Sequence, residues 1–381
     1  MSNFKIKNKA ILPLGFKSSG IACGLKKSGK LDLALFFSES PAIAAGLFTT
    51  NKMLAAPVIL DKYYLKTNKT FKAVIVNSGN ANCFTGRQGL ADAKITSKIL
   101  AKALNIKPEA VLVASTGIIG KKLAVDKIKS GIPLLINKLS LGGLMNAQKA
   151  IMTTDTFKKE FTVKFNIGKE TVTVCGVAKG AGMIAPNMAT MLAFIFTDAL
   201  ISPQALNLAL KHSVEQSFNC ITVDGCMSTN DSVICLANGQ ALNREISKGK
   251  DLDLFSKALN RVCLELAKMI IRDAEGANKF IKIQVSGALN LKQARMAALS
   301  IANSNLFKTA IYGENPNFGR IVQAIGSSGA QVNEENLKIR VSSLKKKDVD
   351  VLVNLGQGKA GLIVYTCDLT PEYIKINAEY N

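Results

Sequence analysis

The chain has 381 residues, above the ~250–300 at which one hydrophobic core usually stops growing, so two lobes are expected. Its 48% hydrophobic and 20% charged residues are a globular composition and exclude a disordered or fibrous chain. Forty-nine Lys and Arg against 27 Asp and Glu leave +22, which brings nucleic acid, an anionic membrane or an acidic substrate into consideration; the one histidine, His212, excludes a HExxH protease or a multi-imidazole zinc site within one chain.

Residues 1–31 carry seven lysines and no acid, but they lack the arginines and the continuous apolar run of a targeting segment. Ala73–Val76 and Val111–Ala114 read as buried strands. Between them Gln88–Leu104 reads as a helix with Leu90, Ile95, Ile99 and Ala103 on one face, which predicts an α/β layering. Each strand runs into a small-residue turn, Asn77-Ser-Gly-Asn-Ala-Asn82 and Ser115-Thr-Gly117, and loops at strand ends commonly carry sites. The longest charge-free window, Gly180–Thr197, contains Gly180, Gly182, Pro186, Asn187 and Thr190, so it falls short of the ~20 apolar residues of a membrane span.

Ser202 as N-cap and Pro203 at the first helical position open a helix that carries His212 as a half-exposed surface residue. Leu252–Arg272 follows helical spacing through Phe255, Leu259, Val262, Leu266 and Ile270 and stops at Asp273-Ala-Glu-Gly276. From Ile281–Val285 the pattern is strand, helix (294–310), helix (318–325), then strands near 339–343, 349–354 and 361–366. The expected division is a main domain, 1–279, and a smaller α/β domain, 280–381. The eight cysteines, with no C-x-x-C spacing, read as reduced thiols of a cytoplasmic protein.

The segment Val177–Phe196 places glycines, a proline and Lys179 before Thr190, and an apolar strand after it. On composition alone it is a glycine loop feeding a buried strand. With His212 unsuited as a base, the chemistry open to Thr190 is that of an N-terminal nucleophile whose own α-amine serves as base. Such an amine ordinarily titrates at ~7.7–8.0, so a useful fraction is neutral at physiological pH. That chemistry requires the chain to be cut before Thr190.

Lys179-Gly-Ala-Gly-Met-Ile-Ala-Pro-Asn-Met-Ala-Thr-Met-Leu192 resembles the self-cleavage motif of the ornithine acetyltransferases, the bifunctional glutamate N-acetyltransferases of arginine biosynthesis. Further similar blocks run in family order: Gly20–Gly24, Thr49–Asn51, Val76–Asn82, Ser115–Gly117, Met152–Thr156, Thr222–Asp231, Tyr312–Arg320 and Lys375–Tyr380. With blocks this early, no presequence is expected. The resemblance implies a layered αββα fold of the self-processing N-terminal-nucleophile type and a cut between Ala189 and Thr190. The products are an α chain, 1–189, and a β chain, 190–381, assembled as a heterotetramer. It further implies that acetyl passes from N2-acetylornithine to Thr190 and then to glutamate in a ping-pong cycle.

By the same resemblance Thr116 and Gly117 form the oxyanion hole, and Thr153, Lys179, Thr190, Glu275 and Asn377 bind substrate. An ammonium at Lys179 suits the α-carboxylate that both substrates present. Glu275, near the C-terminal end of a long helix where the macrodipole disfavours an anion, suits a cation such as the ornithine side chain. Family members continue past the C-terminal tyrosine to a terminal threonine or serine that touches substrate, whereas this sequence stops at Asn381. Acetyl-CoA stays open as a second donor; no other cofactor and no metal is implied.

Two other readings compete. A self-processing aminopeptidase or amidohydrolase would use water in place of glutamate. A basic nucleic-acid-binding protein is disfavoured because only seven of the 49 basic residues are arginine and no aromatic-rich basic stripe appears. The expected cut divides the charge unevenly: residues 1–189 hold 28 basic and 9 acidic residues (+19), and residues 190–381 hold 21 and 18 (+3). The surplus belongs to the α portion, where it suits the steering of a carboxylate substrate.

Overall fold

The computed structural model describes residues 4–185 and 191–379; the expected cleavage residues Ala189 and Thr190 lie outside the described residues. The chain divides into two units. The first comprises Met1–Gly180, Asn187–Phe218 and Met227–Leu266, and the second comprises Ala181–Pro186, Asn219–Cys226 and Ala267–Asn381. The expected boundary at 279/280 is therefore displaced to 266/267, with two short excursions added. No shift in composition marks these segments, because they join their unit through contacts distant in sequence.

In the first unit the elements are β1 (Lys5–Lys7), β2 (Phe16–Ile21), β3 (Leu33–Phe48), α1 (Ala56–Thr67), β4 (Phe71–Asn80), α2 (Gly86–Leu104), β5 (Val111–Ile118), α3 (Val125–Asn137), α4 (Leu144–Ile151), β6 (Lys159–Ile167), β7 (Glu170–Lys179), β8 (Leu192–Thr197), α5 (Pro203–Glu215), β9 (Ser232–Ala237) and α6 (Gly249–Arg272), whose last turns enter the second unit. The strands run β1-β6-β7-β8-β9-β3-β4-β5, with β2 on β3. The long β3 changes register between Phe37 and Ala42: its first half pairs with β2 and β4, its second half with β9. An irregularity of this kind bends a strand, and it lets one strand serve two sheet faces.

Those faces pack on each other through aromatic side chains. Phe36 of β3 lies 5.3 Å from Phe194 and 5.0 Å from Phe196 of β8, and Phe16 of β2 lies 5.3 Å from Phe196, centroid to centroid. Helices cover the outer faces. On one side α1 and α2 contact β5, and α3 and α4 contact β2. On the other, Val262 and Leu266 of α6 fill the space left by the absent side chain of Gly176 on β7. The result is a mixed α/β fold layered helix, sheet, sheet, helix. Phe36, 1% exposed, joins the two sheet layers; Phe36→Ala is expected to cost about 3–5 kcal/mol, measured by urea unfolding.

The second unit contains β10 (Phe280–Ala288), α7 (Leu291–Asn303), α8 (Asn305–Tyr312), α9 (Phe318–Gly326), β11 (Lys338–Val341), β12 (Asp348–Asn354), β13 (Ala360–Cys367) and α10 (Pro371–Ala378). Its sheet runs β11-β12-β10-β13, with β10 and β12 parallel. Strict alternation along β12 buries Val349, Val351 and Val353 on one face. The single helix expected over 294–310 is two helices. Ser304 stops α7 and caps α8 by accepting the Phe307 N–H at 3.2 Å.

The two excursions are tied into this unit by backbone bonds. Val223 N donates to Ile184 O at 2.8 Å, and Thr222 N donates to Tyr365 O at 3.0 Å. Among the described residues no helix is long and apolar enough to cross a membrane. The charge-free window ends in the buried strand β8.

Candidate functional site

Within the first unit the candidate residues gather at the ends of β4, β5 and β7. The last residues of β4 and β5 lie side by side, with Asn77 opposite Ser115 and Gly79 opposite Gly117. A Cβ on Gly117, whose φ is +135°, would lie 2.4 Å from the Gly79 carbonyl carbon, so this close approach demands glycine. Ser115 Oγ donates to Asn77 Oδ1 at 2.5 Å, locking the two turns together.

Thr116 is buried in this arrangement, and the buried Lys179 at the end of β7 donates from Nζ to its Oγ1 at 3.4 Å. A hydroxyl oxygen that accepts in this way keeps its own proton to donate elsewhere. Thr153 enters through Asp155, the third residue of its Thr-Thr-Asp run. The Asp155 carboxylate accepts from Thr153 N at 3.0 Å, Gly180 N at 2.7 Å and Lys159 Nζ at 2.7 Å, and it lies 4.0 Å from Lys179 Nζ. Burial alone would raise this carboxyl. The Lys179 and Lys159 ammoniums and the Gly180 N–H overcome that penalty and hold it well below the usual carboxylate range.

Lys26 borders the same cluster, donating to Leu31 O at 2.8 Å and to Met152 O, next to Thr153, at 2.7 Å. Burial lowers its pKa to about 8; Asp32 opposes the shift and Lys179 adds to it. An unfolded lysine keeps its proton to ~10.4, so this group's contribution to stability grows as pH rises from about 8 towards that value. Lysine side-chain NMR is expected to show one ammonium titrating near 8, a signal that Lys26→Met removes.

In the second unit α6 ends at Arg272, and Glu275 stands in the turn beyond it rather than within the helix. Its backbone N–H donates to Ala181 O at 2.9 Å, and its carboxylate accepts from Asn377 Nδ2 at 2.9 Å. A Cβ on Gly182 would fall 2.2 Å from Glu275 Oε2; the glycine makes room for the carboxylate. Asp224 fastens the same loop, accepting from Met183 N at 2.7 Å, Ile184 N at 3.0 Å and the Tyr373 hydroxyl of α10 at 3.1 Å. Glu275 and Asn377 are thus in direct contact.

Sequence reasoning named Thr116, Gly117, Thr153, Lys179, Glu275 and Asn377 but missed Asp155, Lys26, Asp224 and Tyr373. Asp155 and Asp224 lie inside the motif blocks, so a signal existed for them. Lys26 sits in a basic run that reads as surface. The residue following the expected nucleophile, Met191, is buried, and its N–H donates to Asp231 Oδ1 at 2.8 Å.

Comparison with known proteins adds an independent line. The family model of the ArgJ family matches residues 17–345 and 341–381. The chain is 44% identical to the arginine biosynthesis bifunctional protein ArgJ of Caldanaerobacter subterraneus subsp. tengcongensis, covering 98% of this chain and 99% of that protein. It is 43% identical to the glutamate N-acetyltransferase of Methanocaldococcus jannaschii, covering 97% of each. Among solved structures, the ornithine acetyltransferase of Mycobacterium tuberculosis in complex with ornithine is 39% identical with a TM-score of 0.45, covering 48% of this chain and 98% of that one.

Proposed function

Because this chain belongs to the ArgJ family, we propose that it is a self-cleaving acetyltransferase of arginine biosynthesis that moves acetyl from N2-acetylornithine to glutamate. The observation that carries the reading is full-length identity of 43% to a glutamate N-acetyltransferase. The buried cluster of Thr116, Lys179 and Asp155 supports it.

In this reading the Thr190 hydroxyl attacks the Ala189 carbonyl carbon. The peptide C–N bond breaks as the ester C–O bond forms, and the amine of Thr190 takes up a proton. Water then cleaves the ester and frees the two chains. In turnover that amine takes the hydroxyl proton while Thr190 Oγ attacks the acetyl carbonyl of acetylornithine. Ornithine leaves with a proton, and the amino group of glutamate then accepts the acetyl.

The Thr116 hydroxyl and the Gly117 N–H stabilise the oxyanion of each tetrahedral intermediate; one such donor is typically worth about 2.7–4 kcal/mol. In the first unit Lys179 and Thr153 are the candidates for the α-carboxylate; in the second, Glu275, whose carboxylate accepts from Asn377, is a candidate for a cationic group. The mature enzyme is a cytoplasmic heterotetramer of two α and two β chains, and acetyl-CoA is a candidate second donor. Supplied with N2-acetylornithine and glutamate, the protein is expected to release ornithine and acetylglutamate in equal amounts. Release of acetate that glutamate does not divert would make it an amidohydrolase instead.

A further inference from the structure

Besides the residues assigned to substrate or oxyanion, the first unit holds a buried polar segment, Ser228–Ser232, that contacts both Ser115 and Met191. Asn230, 6% exposed, spends both amide protons on backbone carbonyls: Nδ2 donates to Ala81 O at 2.6 Å and to Ser115 O at 2.8 Å. Ser115 immediately precedes Thr116 and Gly117. The next residue, Asp231, is fully buried and accepts the Met191 N–H on Oδ1 at 2.8 Å, one peptide bond from Thr190. Around this pair, Thr49 N donates to Asp231 O at 3.1 Å and Ser232 N to Met191 O at 3.2 Å. Two adjacent side chains therefore hold β5 at Ser115 and the chain at Met191, the residue that precedes β8.

We propose that Asn230 and Asp231 are positioning residues that set the oxyanion turn Thr116-Gly117 in register with the start of β8, and through it with Thr190. The proposal rests on the reading of Thr190 as nucleophile. Asn230 acts through Ser115 and Asp231 through Met191. Burial pushes the Asp231 carboxyl well above the usual range, although the Met191 N–H, the Lys179 charge and Thr49 act to lower it. What the Met191 N–H requires here is an acceptor oxygen. Asparagine can replace Asp231, because its side-chain oxygen still accepts the Met191 N–H, whereas alanine removes the acceptor.

The test uses full-length protein and begins with wild type, whose self-cleavage and acetyl transfer establish the reading on which the proposal rests. Asn230→Ala is then expected to lower kcat by on the order of 10- to 100-fold, the scale of a small misplacement of reacting groups, with KM little changed. Self-cleavage should slow in parallel. In a Thr116→Ala background the further loss from Asn230→Ala should shrink to within about threefold, since the donor it positions is gone. Asp231→Asn should keep most activity while Asp231→Ala loses it, a comparison that stands even if Asn230→Ala fails to fold.

The proposal is overturned if Asn230→Ala folds and changes only KM, if its penalty multiplies undiminished with that of Thr116→Ala, or if Asp231→Asn is as impaired as Asp231→Ala. A wild type that neither cuts itself nor transfers acetyl overturns the underlying reading instead.

Discussion

Thr190→Ala is expected to yield one intact chain of 40.7 kDa where wild type yields two fragments of about half that mass, and to lower acetyl transfer at least about 1,000-fold. Both losses have one cause. In the proposed mechanism the hydroxyl oxygen that attacks the Ala189 carbonyl during maturation is the oxygen that later carries the acetyl group. Alanine lacks that atom, and without the cut it also lacks the free amine that serves as base. Thr190→Ser retains a hydroxyl and is expected to cut itself and to transfer acetyl more slowly. Denaturing electrophoresis reads the first effect, and ornithine release reads the second. An active, uncut wild type would contradict the N-terminal-threonine mechanism.

The second large effect is one of stability. Asp155→Asn should destabilise the protein by about 3–5 kcal/mol at neutral pH, the usual consequence of removing one partner from a buried ion pair. Lys159, with its side chain fully buried, and Lys179, 2% exposed, would both lose their carboxylate, and the Thr153 and Gly180 amides would lose its charge. The sign of the pH dependence follows from the depressed pKa of Asp155. A carboxylate held below its unfolded value contributes its full stability above that value, ~3.9, and loses it as pH falls through the folded one. The gap between wild type and Asp155→Asn in urea unfolding should therefore be constant near neutrality and narrow only below about pH 4.

Much of the architecture is legible in the residues because local signals agree with tertiary need. Ser202 and Pro203 open α5 as their chemistry requires, with Ser202 accepting the Ala205 N–H at 3.3 Å. The apolar stripe Phe255, Leu259, Val262 and Leu266 is fully buried along α6. The short apolar cores of β4 and β5 announce the strands but not their ends. The small residues that read as turns continue the pairing to Gly79 and Gly117, because glycine tolerates the close approach there. Ser304, between Asn303 and Asn305, is a cap signal masked by the apolar helical pattern that runs on both sides of this polar triplet.

For the site, the motif blocks point to Thr116, Gly117, Thr153, Lys179, Glu275 and Asn377, but periodicity cannot say which side chains meet. The Asp224–Tyr373 bond joins residues 149 apart in sequence, and Asn230 reaches Ser115 across 115 residues. Pairings at such separations leave no local trace. Lys26 shows the converse: a lysine in a basic run reads as solvated surface, yet two backbone carbonyls accept from it beside Thr153. The net charge gains meaning only through the proposed cut, which assigns +19 of the +22 to residues 1–189 (28 basic, 9 acidic).

In the proposed mechanism Thr190 is exposed by self-cleavage and carries the acetyl group between substrates. The most direct measurement is the intact mass of the protein after exposure to N2-acetylornithine with no acceptor present. The expected result is an unmodified fragment 1–189 and a fragment 190–381 that is one acetyl group heavier, the addition mapping to Thr190 and disappearing when glutamate is added. Ornithine release from a chain that stays whole, or with fragment 190–381 never acetylated, would contradict it.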